Sequence, residues 1–263
     1  MSTITLAPPS PRQRRALARL MSTELKLARR RPAGLIIAIG APLVLLVTFG
    51  SIPATTRPQA SLGGISFFDL YVPSLLVFVL IVVGLMSTPQ QLATYRQQGV
   101  LRRMSTTPVQ PAWLLAAQVI LNAIFAVIGV AIILGVGALA FGLTLPHSVG
   151  ANLVALLALA LTAAAMLAIG LCIAAIAGSP QIAQALMAVC FYPLMFFSGM
   201  YVPLSEIHSP LLDQIAKVLP TGAGYNAVHA AFTGHSAGVA PLLVLAAWTI
   251  GCSVIAARRF RWE

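Results

Sequence analysis

Charged residues are scarce in this sequence. Only 8% of its 263 residues are charged, whereas 59% are hydrophobic, and the mean hydropathy is +0.93. A soluble domain usually carries charge on about a quarter of its residues. This composition therefore excludes an ordinary soluble domain and predicts an integral membrane protein.

Acidic residues are rarer still, and none lies in the middle of an apolar run. The sequence has five of them: Glu24, Asp69, Glu206, Asp213 and Glu263. Proton relays and ion sites within membranes usually depend on buried ionisable groups. The absence of acids from the apolar runs argues against a carboxylate relay and against a sodium site built on acids.

A nucleotide-binding loop is also missing. Such a loop needs a lysine directly after a glycine, but the two lysines, Lys26 and Lys217, follow a leucine and an alanine. We therefore expect this chain to bind no cofactor. If the protein moves a substrate uphill, the energy comes from another chain.

Metal and nucleophile patterns are equally sparse. The three cysteines fall in apolar runs without a CxxC spacing, and we interpret them as packing residues; they are Cys172, Cys190 and Cys252. The histidines have no known metal spacing, and we predict polar surface or pore-rim positions for His147, His208, His229 and His235. The G-x-S-x-G elbow of a serine hydrolase is missing around Ser198.

The sequence has long apolar runs instead. A helix that crosses a bilayer needs about 20 apolar residues, and we count six runs, at roughly 33–52, 68–88, 112–141, 150–177, 182–202 and 238–257. They lack the alternating pattern of a membrane barrel, so helices are favoured. The predicted fold is an all-α integral membrane protein with six transmembrane helices in a single transmembrane domain over residues 1–263.

The 16 Lys and Arg residues are grouped along the chain. Eight precede the first run, three lie between the second and third runs, and three follow the last; only Arg57 and Lys217 lie elsewhere. With six spans these groups share one face, which the positive-inside rule makes cytoplasmic. We predict that both termini are cytoplasmic and that membrane lipid, but no nucleic acid, is a partner.

Residues 10–31 have the pattern of a helix that lies along the cytoplasmic membrane surface. Ser10 and Pro11 form a helix start, with Gln13 placed to reach back, and Pro32 ends the helix. Apolar residues occupy one side and cations the other, which is typical of an N-terminal amphipathic interfacial helix. An unstructured basic leader is the alternative interpretation.

The segment between the fifth and sixth runs has helical patterns that are too short to span. One begins at Ser209-Pro210 and continues to Pro220, and the next contains Tyr225. Each is about ten residues, or half the hydrocarbon thickness. We predict two short re-entrant helices within residues 203–234, on the outer side, where protein or a water-filled cavity surrounds them.

Two stretches carry family motifs. After the second run the chain reads Gln97-Gln98-Gly99-Val100-Leu101-Arg102-Arg103 and then Thr107-Pro108-Val109. At the end of the fifth run it has Phe197-Ser198-Gly199, Pro203, an amphipathic run from Leu211 to Leu219, Pro220 and Tyr225. At both places the chain resembles the type-2 ABC transporter permeases, the membrane subunits of ATP-binding-cassette exporters, and the resemblance covers essentially the whole chain.

The resemblance implies a mechanical role for the first stretch. In the family it is a short cytoplasmic helix that docks in a groove of the ATPase, and residues 89–111 are the matching coupling stretch here. In the family, two acidic residues usually precede the glycine of this stretch. Gln97 and Gln98 replace them here, so an ion pair inferred from those acids does not carry over. The implied coupling residues are Arg96, Gly99, Leu101, Arg102, Arg103 and Pro108. For Arg102 and Arg103, solvated positive-inside charges are the alternative.

The second stretch matches the outer gate and exit rim of the family. The implied gate residues are Phe196, Phe197, Ser198, Gly199, Met200, Pro203, Pro220 and Tyr225. Packing or interface anchoring is the alternative role for these aromatic and methionine side chains. Three polar residues within the runs, Gln118, Asn122 and Thr162, either line a substrate path or join helices.

The expected function is that of a permease subunit in an ATP-driven exporter in the bacterial plasma membrane, not an enzyme. Its partners would be a separate ATPase subunit, which holds ATP and Mg²⁺, and a second copy or a homologous sibling. Nearly charge-free spans favour a lipophilic or amphipathic substrate, such as a drug, lipid or glycolipid. The competing hypotheses are a membrane enzyme that acts on lipid at the outer face through Ser198, His208 or His229, and a non-transporting assembly partner.

Overall fold

A computed structural model describes residues 33–99, 112–146, 148–201 and 209–259. The predicted interfacial helix at 10–31 lies outside these residues, as do Leu101, Arg102, Arg103, Pro108, His147, Pro203 and His208. The described residues form nine α-helices: α1 Ala33–Gly50, α2 Pro53–Thr56, α3 Phe67–Gln97, α4 Ala112–Phe141, α5 Val149–Ile176, α6 Pro180–Phe196, α7 Pro210–Val218, α8 Pro220–Phe232 and α9 Ala240–Arg259.

Serine caps and prolines determine where several helices begin. Ser66 and Ser148 each accept a hydrogen bond from a backbone N–H three residues on, at the starts of α3 and α5. Ser179 caps α6 in the same way, with Pro180 in its first turn. Pro220 separates α7 from α8, because the residue before a proline is restricted to extended backbone. Leu219 is extended, with φ −78° and ψ 142°.

The all-α class predicted from the sequence is confirmed in the described residues. Four helices there are long and apolar enough to cross a membrane: α3, α4 from Leu114, α5 and α9. Two further apolar helical stretches are shorter, Ala38–Gly50 within α1 and all of α6. Helix α3 continues through Pro89 to Gln97, so the first part of the predicted coupling stretch prolongs a long apolar helix.

Helix α5 packs against α9, α3 and α8, and α3 also contacts α6, α4 and α1. The described side chains on α3 are almost entirely buried from Leu70 to Leu85. Helices α4 and α9 instead expose apolar side chains such as Val127 and Leu243. Exposed apolar faces of this kind suit contact with lipid or with another apolar chain. The core of the bundle therefore lies around α3 and α5.

Two contacts show which helix ends lie together. The Asp69 carboxylate accepts a hydrogen bond from the backbone N–H of Thr144 at 3.2 Å, which joins the start of α3 to the loop after α4. At the other end, Arg96 of α3 contacts Ala177 at the end of α5. We call the first end, which carries Tyr71 and Phe197, the aromatic end. The second end, which carries Arg96, Arg258 and Arg259, is the arginine end.

Candidate functional site

Residues 197–200, the predicted gate motif, follow α6 and pack against α3 and α8 at the aromatic end. Gly199 has φ +76°, a backbone conformation that favours glycine. A Cβ atom at Gly199 would lie 2.8 Å from the Ser74 hydroxyl and 3.1 Å from the ring of Tyr225. The chain therefore needs glycine here for two reasons, backbone conformation and close approach to α3 and α8.

A hydrogen bond fixes the next residue of the motif to α3. The Tyr71 hydroxyl donates to the backbone carbonyl of Met200 at 2.7 Å, and both residues are buried. Phe49 of α1 packs edge-on against the Tyr71 ring, with centroids 4.7 Å apart. Phe196 and Phe197 are in an edge contact of their own at 5.1 Å. The end of α6 is thus held by α3, which sequence motifs alone did not indicate.

Helix α8 begins inside the bundle. Gly222 lies directly against the Ala216 carbonyl of α7, so the turn between the two helices leaves no room for a Cβ atom. Gly224 lies against Thr162, whose hydroxyl a Cβ atom would approach to 2.5 Å. Thr162 is in the middle of α5 and is fully buried. The first turns of α8 therefore pack halfway along a helix that is long enough to span a membrane.

The buried polar groups beside α8 include His229. Its ring stacks on Tyr225 with centroids 5.2 Å apart, and its Nε2 atom is buried without a hydrogen-bond partner. Burial lowers the pKa of His229, and the nearby His235 lowers it further. The folded protein therefore favours the neutral imidazole more than an unperturbed histidine, whose pKa is near 6.5, would.

The geometry around Ser198 does not resemble a hydrolase centre. Its hydroxyl donates to the carbonyl of Met195, one turn earlier, at 2.6 Å. Within the described residues it forms no hydrogen bond with a histidine, the base that usually activates a serine nucleophile. The motif serine thus adds a side-chain hydrogen bond at the end of α6, to a carbonyl that also accepts from the backbone N–H of Ser198.

At the arginine end, Arg96 faces into the protein. Its Nη1 atom donates to the Ala177 carbonyl at 2.7 Å, and the side chain is half-buried. The neighbouring Gln97 and Gln98 are exposed. Gly99, with φ +69°, closes the helix end with a hydrogen bond to the Arg96 carbonyl at 3.0 Å. Arg96, a predicted coupling residue, thus contacts another helix end of this chain, whereas the next two residues, Gln97 and Gln98, are exposed.

The polar residues predicted for a substrate path are all buried. Gln118 and Asn122 are one turn apart on α4 and each is 3% exposed, and Thr162 is fully buried on α5. The Thr162 hydroxyl donates to the Ala158 carbonyl of its own helix at 2.7 Å. The Gln118 side-chain nitrogen is buried without a hydrogen-bond partner. Thr162 lies at a contact between helices within this chain, and whether any of the three meets a substrate stays a prediction.

The three cysteines lie near one another although the sequence separates them widely. The Cys172 thiol of α5 and the Cys252 thiol of α9 are close enough to interact, and Cys190 of α6 is near both. All three are free thiols. No group of three or more metal-binding side chains suited to an ion occurs within the described ranges. Sequence spacing carried no signal of this contact, because each cysteine comes from a different helix.

The chain matches a known protein family over most of its length. The profile of the ABC-2 type transporter family matches residues 15–233, which is more than half of the chain and includes every predicted coupling and gate residue. No curated protein matched the chain significantly. The chain therefore belongs to the ABC-2 type transporter family, as a multipass membrane component of an ABC transporter.

Proposed function

We propose that this protein is the permease subunit of an ATP-driven exporter. The observation that carries the proposal is the family match over residues 15–233, together with a sequence that has no phosphate-binding loop of its own. ATP and Mg²⁺ are then bound by a separate ATPase subunit. The substrate is lipophilic or amphipathic, because the long helices carry almost no charge along their length.

We further propose six membrane spans, with α1 and α6 added to the four long helices. Helix α6 has 17 residues and a length of about 26 Å, and the gate motif that follows it extends its path along α3. Both termini are then on the same side as the arginine end. That side is cytoplasmic by the positive-inside rule, in the plasma membrane of a bacterium.

Helices α7 and α8 form the re-entrant pair in this proposal. The Trp248 indole donates to the Val218 carbonyl at 2.9 Å, and Trp248 lies about 12 Å along α9 from its start. The contact between Gly224 and Thr162 supports a similar depth for the start of α8. The pair enters from the aromatic end and returns to it, and protein surrounds its deepest turn.

The coupling segment joins α3 to α4 at the arginine end. We propose that residues 97–111, which carry Arg102 and Arg103, contact the ATPase. ATP-driven closure of two ATPase subunits then moves α3 as a rigid element. The ends of α6 and α8 at the aromatic end, held by Tyr71, Gly199 and Tyr225, are the gate that this movement opens, and the path lies between two copies or siblings.

Co-purification tests the energy source. The C-terminus is tagged, the protein is extracted from its native host in mild detergent, and its partners are identified by mass spectrometry. We expect an ATP-binding-cassette ATPase in about equal amount. Purification of the chain alone, with no ATPase activity, would contradict the exporter function and favour an enzyme or an assembly partner.

Reconstitution tests the substrate class. A fluorescent phospholipid analogue in proteoliposomes reports movement between leaflets, and an ATPase variant that cannot hydrolyse ATP is the control. We expect ATP-dependent movement in the active complex only.

Thiol labelling tests the orientation, in a variant whose three cysteines are replaced by alanine. A membrane-impermeant reagent applied from outside should label Ala60→Cys and leave Gly178→Cys unlabelled; both positions are exposed. The reverse pattern would overturn the proposed topology.

A further inference from the structure

Arg96 and the turn between α5 and α6 form a single contact at the arginine end. The guanidinium reaches from the last turn of α3 to the Ala177 carbonyl, where Nη1 and the oxygen are 2.7 Å apart. Ala177 is the residue that follows α5, and its own N–H donates to Ile173 within that helix. Its carbonyl therefore lies at the C-terminal end of a 28-residue helix, where the helix dipole favours a positive charge.

Close packing surrounds this hydrogen bond. Ala93 of α3, Ala177 and Ala183 of α6 form one buried cluster, and none is more than 2% exposed. Their small side chains let the end of α3 approach the turn closely. One cation and three methyl groups thus connect α3 to the end of α5 and to the start of α6.

The burial of Arg96 differs from that expected of a side chain that extends from the protein to bind a partner. Its Nε atom is buried as well, whereas the side chains of Gln97 and Gln98 are exposed. Arg258 and Arg259, at the end of α9, are also exposed. A guanidinium that is half-buried and already bonded to a helix end has less surface left for an ATPase. Its contact instead makes the α5–α6 turn follow any displacement of α3.

We propose that Arg96 is a positioning residue that ties the α5–α6 turn, residues 177–180, to the last turn of α3. Force applied to the segment after Gln97 then moves α5 and α6 together with α3, and through α6 it reaches the gate motif at 197–200. This inference rests on the proposed function, because it takes the ATPase as the source of that force. It differs from the sequence-based role of Arg96, which was direct contact with the ATPase.

We call the contact between Arg96 and the α5–α6 turn the tie. The test measures the tie and the ATPase contact separately. In a variant whose three cysteines are replaced by alanine, nitroxide labels are placed at Gln98→Cys and Gly178→Cys, two exposed positions on either side of the contact. Gly178 has open space around its Cα atom, so a label fits there. Dipolar broadening reports the distance between the labels in lipid nanodiscs, with the ATPase bound, before and after ATP is added.

With Arg96 present, we expect the distance between the labels to stay the same when ATP is added. Arg96→Met keeps the length of an apolar stem but removes the donors, and we expect a longer and broader distance distribution that changes with ATP. Arg96→Lys keeps a cation and a donor and should restore part of the native behaviour. Arg258→Met, which removes an exposed cation from the same end, is the matched control and should change nothing.

The affinity for the ATPase is the second readout. Arg96→Met should bind it with nearly native affinity, whereas loss of a contacting interface cation would weaken binding about tenfold or more. A tenfold fall would overturn the tie and return Arg96 to the interface. An ATP-dependent change of distance with Arg96 present would overturn it too, even if Arg96→Met fails to fold.

The tie can also be tested apart from the proposed function. If no ATPase binds the unmodified chain, the proposed function fails. The label distances in the isolated chain, measured with Arg96 present, with Arg96→Lys and with Arg96→Met, still report whether the tie exists. A distribution that is equally narrow in all three would overturn the tie.

Discussion

Gly84 of α3 and Gly170 of α5 touch backbone to backbone where the two helices cross. A Cβ atom at Gly170 would overlap the carbonyl oxygen of Gly84, and one at Gly84 would lie 2.6 Å from the Cβ atom of Met166. Small residues let helices in membranes approach closely, where dispersion contacts and weak hydrogen bonds replace the hydrophobic effect as the source of association. The close approach of α3 and α5 at this crossing therefore depends on two glycines.

We expect Gly170→Ala to destabilise the protein by about 1–3 kcal/mol, the usual cost of overpacking a core. The neighbour is backbone, which cannot move aside as a side chain can. The apparent midpoint of thermal denaturation in detergent measures the effect. Gly251→Ala, at an exposed position on α9 with open space around it, is the matched control and should not lower the midpoint, because alanine is the better helix former. Equal midpoints for both variants would mean that the crossing is looser than described.

We expect Gly199→Ala to lower the free energy of unfolding by more than the cost of the backbone conformation alone. Gly142 has a similar positive φ, +66° against +76°, but has no atoms near its missing side chain. Gly142→Ala therefore measures the cost of the backbone conformation, of order 1 kcal/mol. The extra loss in Gly199→Ala comes from overlap with the Ser74 hydroxyl and the Tyr225 ring. Ser74→Ala combined with Gly199→Ala should recover part of it, and a purely additive double variant would exclude this overlap as the cause.

The sequence was sufficient to predict the helical class, because long apolar runs and the scarcity of charge leave few alternatives in a membrane. It also located α7 and α8, since Pro210 and Pro220 mark both starts. The motif at 197–199 was found by its resemblance to the family, and it lies where α6 ends. These features depend on residues that are neighbours in the chain.

Contacts between helices could not be read from the sequence in the same way. Tyr71 and Met200 are 129 residues apart, and Arg96 and Ala177 are 81 apart. Nothing in the spacing of Cys172 and Cys252 indicates that their thiols lie near each other. The family resemblance placed Arg96 among the residues that contact the ATPase. Its hydrogen bond to the carbonyl at the end of α5 is a further contact, which only the packing of α3 on α5 reveals.

Acid is expected to destabilise α8 through His229. Burial, and then His235, lower the pKa of His229 in the folded protein, so the folded state favours the neutral ring, whereas the unfolded chain titrates near 6.5. Stability should therefore fall as the pH drops below about 6.5 and level off once it is below the folded pKa. Thermal denaturation in detergent between pH 7.5 and about pH 5 measures this window.

His229→Phe keeps a ring to stack on Tyr225 and removes the titration, so its stability should depend less on pH in this window. His235→Asn, which changes an exposed residue, should keep most of the dependence because burial is the larger cause. A pH profile that is the same in His229→Phe and in the unmodified protein would show that the dependence comes from another group.

Reversal of charge at Arg102 and Arg103 is expected to weaken ATPase association and leave membrane insertion intact. The two cations fall in the segment between α3 and α4, the part of the chain that the family resemblance assigns to the ATPase, and repulsion should replace attraction at that interface.

Arg258 and Arg259 are the matched control, because they are adjacent exposed cations at the same end. Glutamate at both control positions changes the net charge equally. The two double variants should insert to the same level. Only Arg102→Glu with Arg103→Glu should bind the ATPase more weakly, by about tenfold or more. Added salt should weaken the binding of that variant less than it weakens the binding of the unmodified protein. Equal binding by both variants would mean that Arg102 and Arg103 serve only to orient the chain in the membrane.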